Sequence, residues 1–347
     1  MCGVKKFVFT AVALFAAILP AQQSASAGAG QGAGARYATD AYPGFESIRE
    51  SDAPSRKEPR WFAFLNGPSE SDAAGEFAYC ARLESEGRWS KAAKHYDALV
   101  REWPASAEAP AAQRRLAEIL LEKDDDAEGA FEEYKYLVDF YSFRCDYGAA
   151  VDRMYDIANV LRMRGKTVMF FRFKNTEDVR RAYERCVLLA PGAAWAPAAM
   201  LTIGALREEE GHDAEAVKVY ENLRNLHRDT PEARDAAVLE AAARMRLLRE
   251  HGYNRERCLE TIDFLKSAVS YVNRDDVPVI ECHLADAKVL LEDGAYQAAL
   301  FYDSRMRTKR SAVSAYERFL AEFPNSVRAD DVRARLAELK GEGKVEK

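Results

Sequence analysis

Residues 311–339 read SAVSAYERFLAEFPNSVRADDVRARLAEL, and residues 91–120 read KAAKHYDALVREWPASAEAPAAQRRLAEIL. Laid over one another, Ala92, Tyr96, Glu102, Pro104, Ser106 and Ala109 meet Ala312, Tyr316, Glu322, Pro324, Ser326 and Ala329. The run Arg115-Leu116-Ala117-Glu118 meets Arg335-Leu336-Ala337-Glu338. A pattern written near both ends of a chain constrains the fold more than any composition does. Each copy is one packing unit, and units that cannot bury both faces alone must stack on their neighbours.

The helical period inside the first copy is explicit. Ala73, Phe77, Cys80, Ala81 and Leu83 recur at spacings of three and four, and Gly87 interrupts them. Ser90 opens a second run whose face holds Ala92, Ala93, Tyr96, Leu99, Val100 and Trp103, and Pro104 closes it. The spacing predicts an αα-hairpin. Its second-helix signature is a small residue, a Tyr four positions on, and a break eight residues later. It returns at Ala130/Tyr134 with Ser142, at Val179/Tyr183 with Pro191, and at Ala312/Tyr316 with Pro324. Ala216/Tyr220 has a later break at 229–231, and residues 258–272 are a degenerate copy.

This signature resembles the second helix of a tetratricopeptide repeat, where the small residue admits close approach and the aromatic fills the gap to the next hairpin. Gly204, twelve residues before Ala216, stands where that repeat places a close-contact glycine, and Cys80 takes that place in the first unit. Strand-type runs of Val, Ile and Thr are nearly absent, and residues 166–175, KTVMFFRFKN, read as an insertion. The expected fold is all-α, a right-handed solenoid of about five to six tetratricopeptide-like hairpins over residues 69–340, before a charged tail at 341–347. The last unit departs from the pattern, because Ala298/Tyr302 precedes Ala312/Tyr316 by fourteen residues, close to four helical turns. Either one long second helix or a helix broken near 305–309 accounts for that. The same stretch holds Arg305, Arg307, Lys309 and Arg310, either solvated helix surface or a contact for an acidic partner.

The beginning of the chain is organised differently. Lys5 and Lys6 precede an apolar run at 7–21, and Ala25-Ser26-Ala27 follows as a small-x-small site, the layout of a secretory signal peptide cleaved near Ala27. The run is shorter than the roughly 20 residues of a spanning helix. Residues 28–68, rich in Gly, Ala, Ser and Pro, read as a flexible leader carrying one apolar cluster at 61–65. That cluster either tucks against the first helices or docks a partner.

No catalytic constellation emerges. The five histidines form no HxxxH or HExxH pattern, and no Walker, GxSxG or dinucleotide motif is present. The expectation is no enzyme, no cofactor and no metal. A net charge of −6 opposes nucleic-acid binding. Cys80, Cys145, Cys186, Cys258 and Cys282 sit in helical patterns as small hydrophobes, with a Cys258–Cys282 bridge the alternative.

The secretory signal together with hairpins reading EWPASAEAPAAQRRLAEIL (102–120), GAYQAALFY (294–302) and EFPNSVRADDVRARLAELK (322–340) resembles the outer-membrane assembly lipoprotein family of the YfiO/BamD type. The resemblance spans roughly residues 70–340. It implies a periplasmic scaffold that binds an outer-membrane assembly protein or an unfolded outer-membrane client. Family members carry a lipid on a cysteine just after the signal. Here Ala21-Gln22-Gln23 follows the apolar run and no lipobox is recognisable, which implies a soluble protein or one held indirectly at the membrane. The alternatives are a periplasmic adaptor for peptidoglycan or polysaccharide machinery and a cell-division coordinator of the Tol-associated type.

Overall fold

The computed structural model describes residues 67–164, 166–168, 171–173, 176–250, 253–305 and 309–342. The signal-like segment, the cluster at 61–65, Arg307 and most of the tail lie outside the described residues.

Helices are laid down in pairs. α1 (Ala73–Ser85) turns into α2 (Trp89–Glu102), α3 (Ala109–Glu122) into α4 (Ala127–Tyr141), and α5 (Tyr147–Arg164) into α6 (Thr176–Leu189). α7 (Ala196–Glu209) with α8 (Asp213–Leu226), α9 (Pro231–Glu250) with α10 (Arg255–Val269), and α11 (Val277–Arg305) with α12 (Lys309–Glu322) complete six hairpins, and α13 (Ala329–Glu342) follows. Each helix packs on the next in the chain, and α9 also touches α7 and α11. The described fold is an all-α solenoid of helical repeats. Its one departure is a two-stranded antiparallel ribbon between α5 and α6, β1 (Lys166–Val168) on β2 (Phe171–Phe173).

Local chemistry sets the ends of these elements. Asp72, Asp126 and Asn254 accept hydrogen bonds from Gly75, Gly129 and Arg257 backbone N–H groups, capping α1, α4 and α10. Pro110 and Pro197 occupy first-turn positions of α3 and α7, where no intrahelical donor is lost. Gly87 and Gly211, at φ 72° and 79°, end α1 and α7 in the left-handed region that favours glycine. Pro104, Pro191 and Pro324 each stand two residues beyond a second helix.

The buried side chains form three clusters in chain order, one from Cys80 to Ala236, one from Ala237 to Leu291, and a small one from Ala299 to Leu339. Tyr271 bridges the first two, and Phe323 the last two.

α11 ends at Arg305 and α12 begins at Lys309, so the last unit is two helices rather than one long second helix. Among the described residues there is no disulfide. Cys258 on α10 is buried and Cys282 on α11 is exposed.

Candidate interaction surface

The repeat signature residues occupy one kind of place. Ala92, Tyr96, Ala130, Tyr134, Tyr183, Ala216, Tyr220, Ala312 and Tyr316 are all buried, on the second helices α2, α4, α6, α8 and α12. A methyl group at Gly204 would stand 2.2 Å from a Tyr220 ring carbon, so α7 and α8 approach as closely as glycine allows. Ala298 and Tyr302 are placed differently. Tyr302 is exposed and Ala298 half-buried, because α11 turns Ala299 and Asp303 inward instead.

Four of these buried tyrosines end in a polar joint. Tyr96 donates to Glu84 Oε1 at 2.6 Å, Tyr220 to Glu208 Oε1 at 2.8 Å, and Tyr316 to Asp303 Oδ2 at 3.0 Å. Tyr183 donates to Asn159 Oδ1 at 2.6 Å. An arginine on the next hairpin then reaches the same carboxylate. Arg115 on α3 binds Glu84, Arg335 on α13 binds Asp303, and Arg246 on α9 binds Glu208 at 2.9 Å. The joint therefore ties three helices together. Burial raises the Glu84 pKa, but the hydrogen bonds from Arg115 and Tyr96 outweigh it and hold the carboxyl below its ordinary value. At Asp303 the Arg335 hydrogen bonds lower the pKa against weaker desolvation.

Sequence reasoning named the tyrosines and missed their acceptors. The signal was available, for Glu84 and Glu208 each stand twelve residues before their tyrosine. Asp303 stands thirteen before, and the ribbon pushes Asn159 to twenty-four, so the period is broken.

Other buried charges are committed to packing as well. Glu184, with no exposed surface, accepts from Arg180 at 2.6 Å and Arg207 at 3.1 Å, joining α6 to α7. Glu240 accepts from Arg224 at 2.8 Å and Arg244 at 2.7 Å, and both guanidinium groups lie over the Phe264 ring. Such pairs are held by mutual compensation, and removing one partner strands the other. Burial pushes the Cys80 and Cys186 thiols up to about 12, so neither supplies a thiolate at neutral pH. Among the described residues no group of three or more His, Cys, Asp or Glu is placed to hold a metal ion.

What the array offers is surface. A groove of about 630 Å³ runs between α3, α4 and α5, floored by Tyr134, Leu137 and Ala150 and flanked by Arg114, Arg144 and Arg153. Arg114 leans on Glu118 at 2.9 Å and Arg153 on Glu122 at 3.5 Å, while Arg144 donates to the Ser106 carbonyl. Farther along, the Tyr155 and Trp195 rings stack at 4.5 Å, half-buried, with Trp195 Nε1 donating to Asp152. Of the basic segment, Lys309 and Arg310 are exposed at the start of α12, Arg305 ends α11, and Arg307 lies outside the described residues.

The tetratricopeptide repeat family matches residues 293–326, the end of α11 and all of α12. Among solved structures, the C-terminal part of a TPR repeat-containing protein from Cytophaga hutchinsonii is 14% identical, over 76% of this chain and 88% of that one, with a TM-score of 0.28. A tetratricopeptide repeat protein from Parabacteroides merdae is 12% identical over 77% and 98%, with a TM-score of 0.29. The TPR2AB domain of yeast Sti1, in a complex with pHSP90, is 15% identical over 77% and 98%, with a TM-score of 0.25. No curated protein matches the chain.

Proposed function

We propose that this tetratricopeptide-like repeat protein is an exported, non-enzymatic scaffold of the cell envelope, serving proteins of the outer-membrane assembly kind. The observation that carries the scaffold reading is the α3–α5 groove, an apolar floor along stacked helices flanked by Arg114, Arg144 and Arg153 together with Glu118, Glu122 and Asp146. An open groove running along stacked helical hairpins suits an extended polypeptide. The export half of the reading is supported by Lys5, Lys6 and the apolar run before Ala27. A membrane-embedded assembly factor or an unfolded outer-membrane client is the expected partner.

Crosslinking the full chain in its native envelope, then identifying what is attached, tests this directly. Recovery of an outer-membrane assembly protein, lost in the Arg114→Glu/Arg153→Glu variant, is the expected result. Recovery of cytoplasmic proteins alone would overturn it. The stacked Tyr155–Trp195 pair favours a second reading, since planar aromatic faces suit sugar rings. Binding to purified sacculi that disappears with Trp195→Ala would select the peptidoglycan adaptor instead.

A further inference from the structure

Helix α11 runs for 29 residues, while the first helices of the other hairpins have between 13 and 20. Its length lets it serve two neighbours, α10 along its first half and α12 along its second. The flank that meets α10 is an apolar stripe at alternating spacings of four and three, Ile280, Leu284, Ala287 and Leu291. The spacing does not stop where that packing does. Gly294, Ala298 and Phe301 carry it on toward the end of the helix.

The cover ends at Gly294. α10 starts at Arg255, and the Tyr253 ring just before it lies on Gly294, where an added methyl would stand 1.8 Å from a ring carbon. Beyond that ring Ala298 is half-buried, Phe301 is 55% exposed and Tyr302 is 38% exposed. α12 does not close the gap, because it takes another flank through Ala299 and Asp303. Scattered exposed aromatics are ordinary on a protein surface, but these continue a stripe that is buried everywhere earlier in the same helix. The small Ala298 lies one turn from Gly294 under its Tyr253 ring and one turn from Phe301, the arrangement of a hole for an incoming knob. Residues 304–311 hold Arg305, Arg307, Lys309 and Arg310 and no acid, in a chain whose net charge is −6. Lys309 and Arg310 are exposed at the start of α12, at the same end of the hairpin as Phe301.

We infer that the open end of the α11 stripe docks an amphipathic helix of a partner protein, with a bulky apolar residue over Ala298 and acidic residues toward Lys309 and Arg310. Helix-on-helix packing at the continued spacing supplies the contact, and the cationic rim selects the charge. Anionic lipid would match the charge, but a lipid surface needs neither the spacing nor the hole. The site is separate from the α3–α5 groove, and it shares with the scaffold reading only a polypeptide partner.

The test measures anisotropy of three labelled helical peptides with the full chain. One carries Leu at the four-and-three spacing flanked by Glu, one the same Leu positions flanked by Lys, and one the Leu–Glu composition in scrambled order. The first is expected to bind at least about tenfold tighter than either control. Phe301→Ser should remove that preference while the helical circular dichroism stays unchanged, and Lys309→Glu/Arg310→Glu should transfer it to the Lys-flanked peptide. Arg114→Glu/Arg153→Glu should leave it unaltered. Equal binding of all three peptides would overturn the proposal. Binding that depends on Arg114 and Arg153 rather than Phe301 would also overturn it, and would leave the groove reading standing. Capture of the wild type, but not of Phe301→Ser, by phosphatidylglycerol vesicles with no peptide preference would reassign the face to a lipid surface and remove the proposal. A wild-type dimer made monomeric by Phe301→Ser would remove it as well, since the occupant would then be a second copy.

Discussion

Helices α3 and α13 carry the same Arg-Leu-Ala-Glu run but live in different surroundings. In α3, Leu116 and Ala117 are buried and Leu120 is 4% exposed, because α2 covers one flank and α4 the other. In α13 the matching Leu336 is half-buried and Ala337 exposed, and no described helix packs on its outer flank. The residues that differ between the copies follow that difference. Gln113, which donates to the Glu133 carbonyl on α4, becomes Arg333, and Leu120 becomes Lys340, which pairs with Glu317 at 2.7 Å. The positions buried in both copies, Ala112/Val332 and Ile119/Leu339, stay apolar, while Gln113 and Leu120 give way to charged residues. One helix is thus an interior layer and the other a solvated cap.

Truncating the shared leucine should separate the two most sharply. Leu116→Ala is expected to destabilise by about 2–5 kcal/mol, and Leu336→Ala by well under half of that, read from urea unfolding. Equal losses would mean α13 is covered in solution. Glycine replacement comes next. Gly204→Ala forces the Tyr220 ring aside and should lose about 1–3 kcal/mol, whereas Gly341→Ala, with nothing within 4 Å, should be neutral or slightly stabilising. The polar joints differ more gently. Arg115→Gln strips a charge partner from Glu84, 14% exposed, and Arg335→Gln strips one from Asp303, 13% exposed, so each should lose about 1–3 kcal/mol, with the Arg335 loss slightly smaller because that arginine is more solvated.

The smallest effect is a slope. Glu84 has a folded pKa below its ordinary 4.5 and Asp303 one below 3.8, so each stabilises fully above those values. That contribution disappears as pH falls through the lower, folded pKa. Thermal melts from about pH 6 down to about pH 3 should therefore lose less stability in Glu84→Gln than in wild type. A parallel decline in both would show that the joint does not titrate as described.

The hairpins, their boundaries and the buried Ala–Tyr pairs were legible because a repeated packing constraint leaves a repeated spacing. The last unit was misleading for a geometric reason. The Asp303–Tyr316 interval is one residue longer than Glu84–Tyr96, so the inward face of α11 is Ala299 and Asp303 rather than Ala298 and Tyr302. The groove had no signature at all. Arg114, Tyr134 and Arg153 come from three helices, and only the packing of α3, α4 and α5 brings them together.

The order of helices, their small-residue contacts and their prolines follow from local propensity and period, which the amino-acid sequence carries by itself. Which carboxylate meets which arginine, and which copy of the motif is covered, were decided only in three dimensions. Those contacts join residues far apart in the chain, and a chain records such neighbours only when the spacing between them repeats.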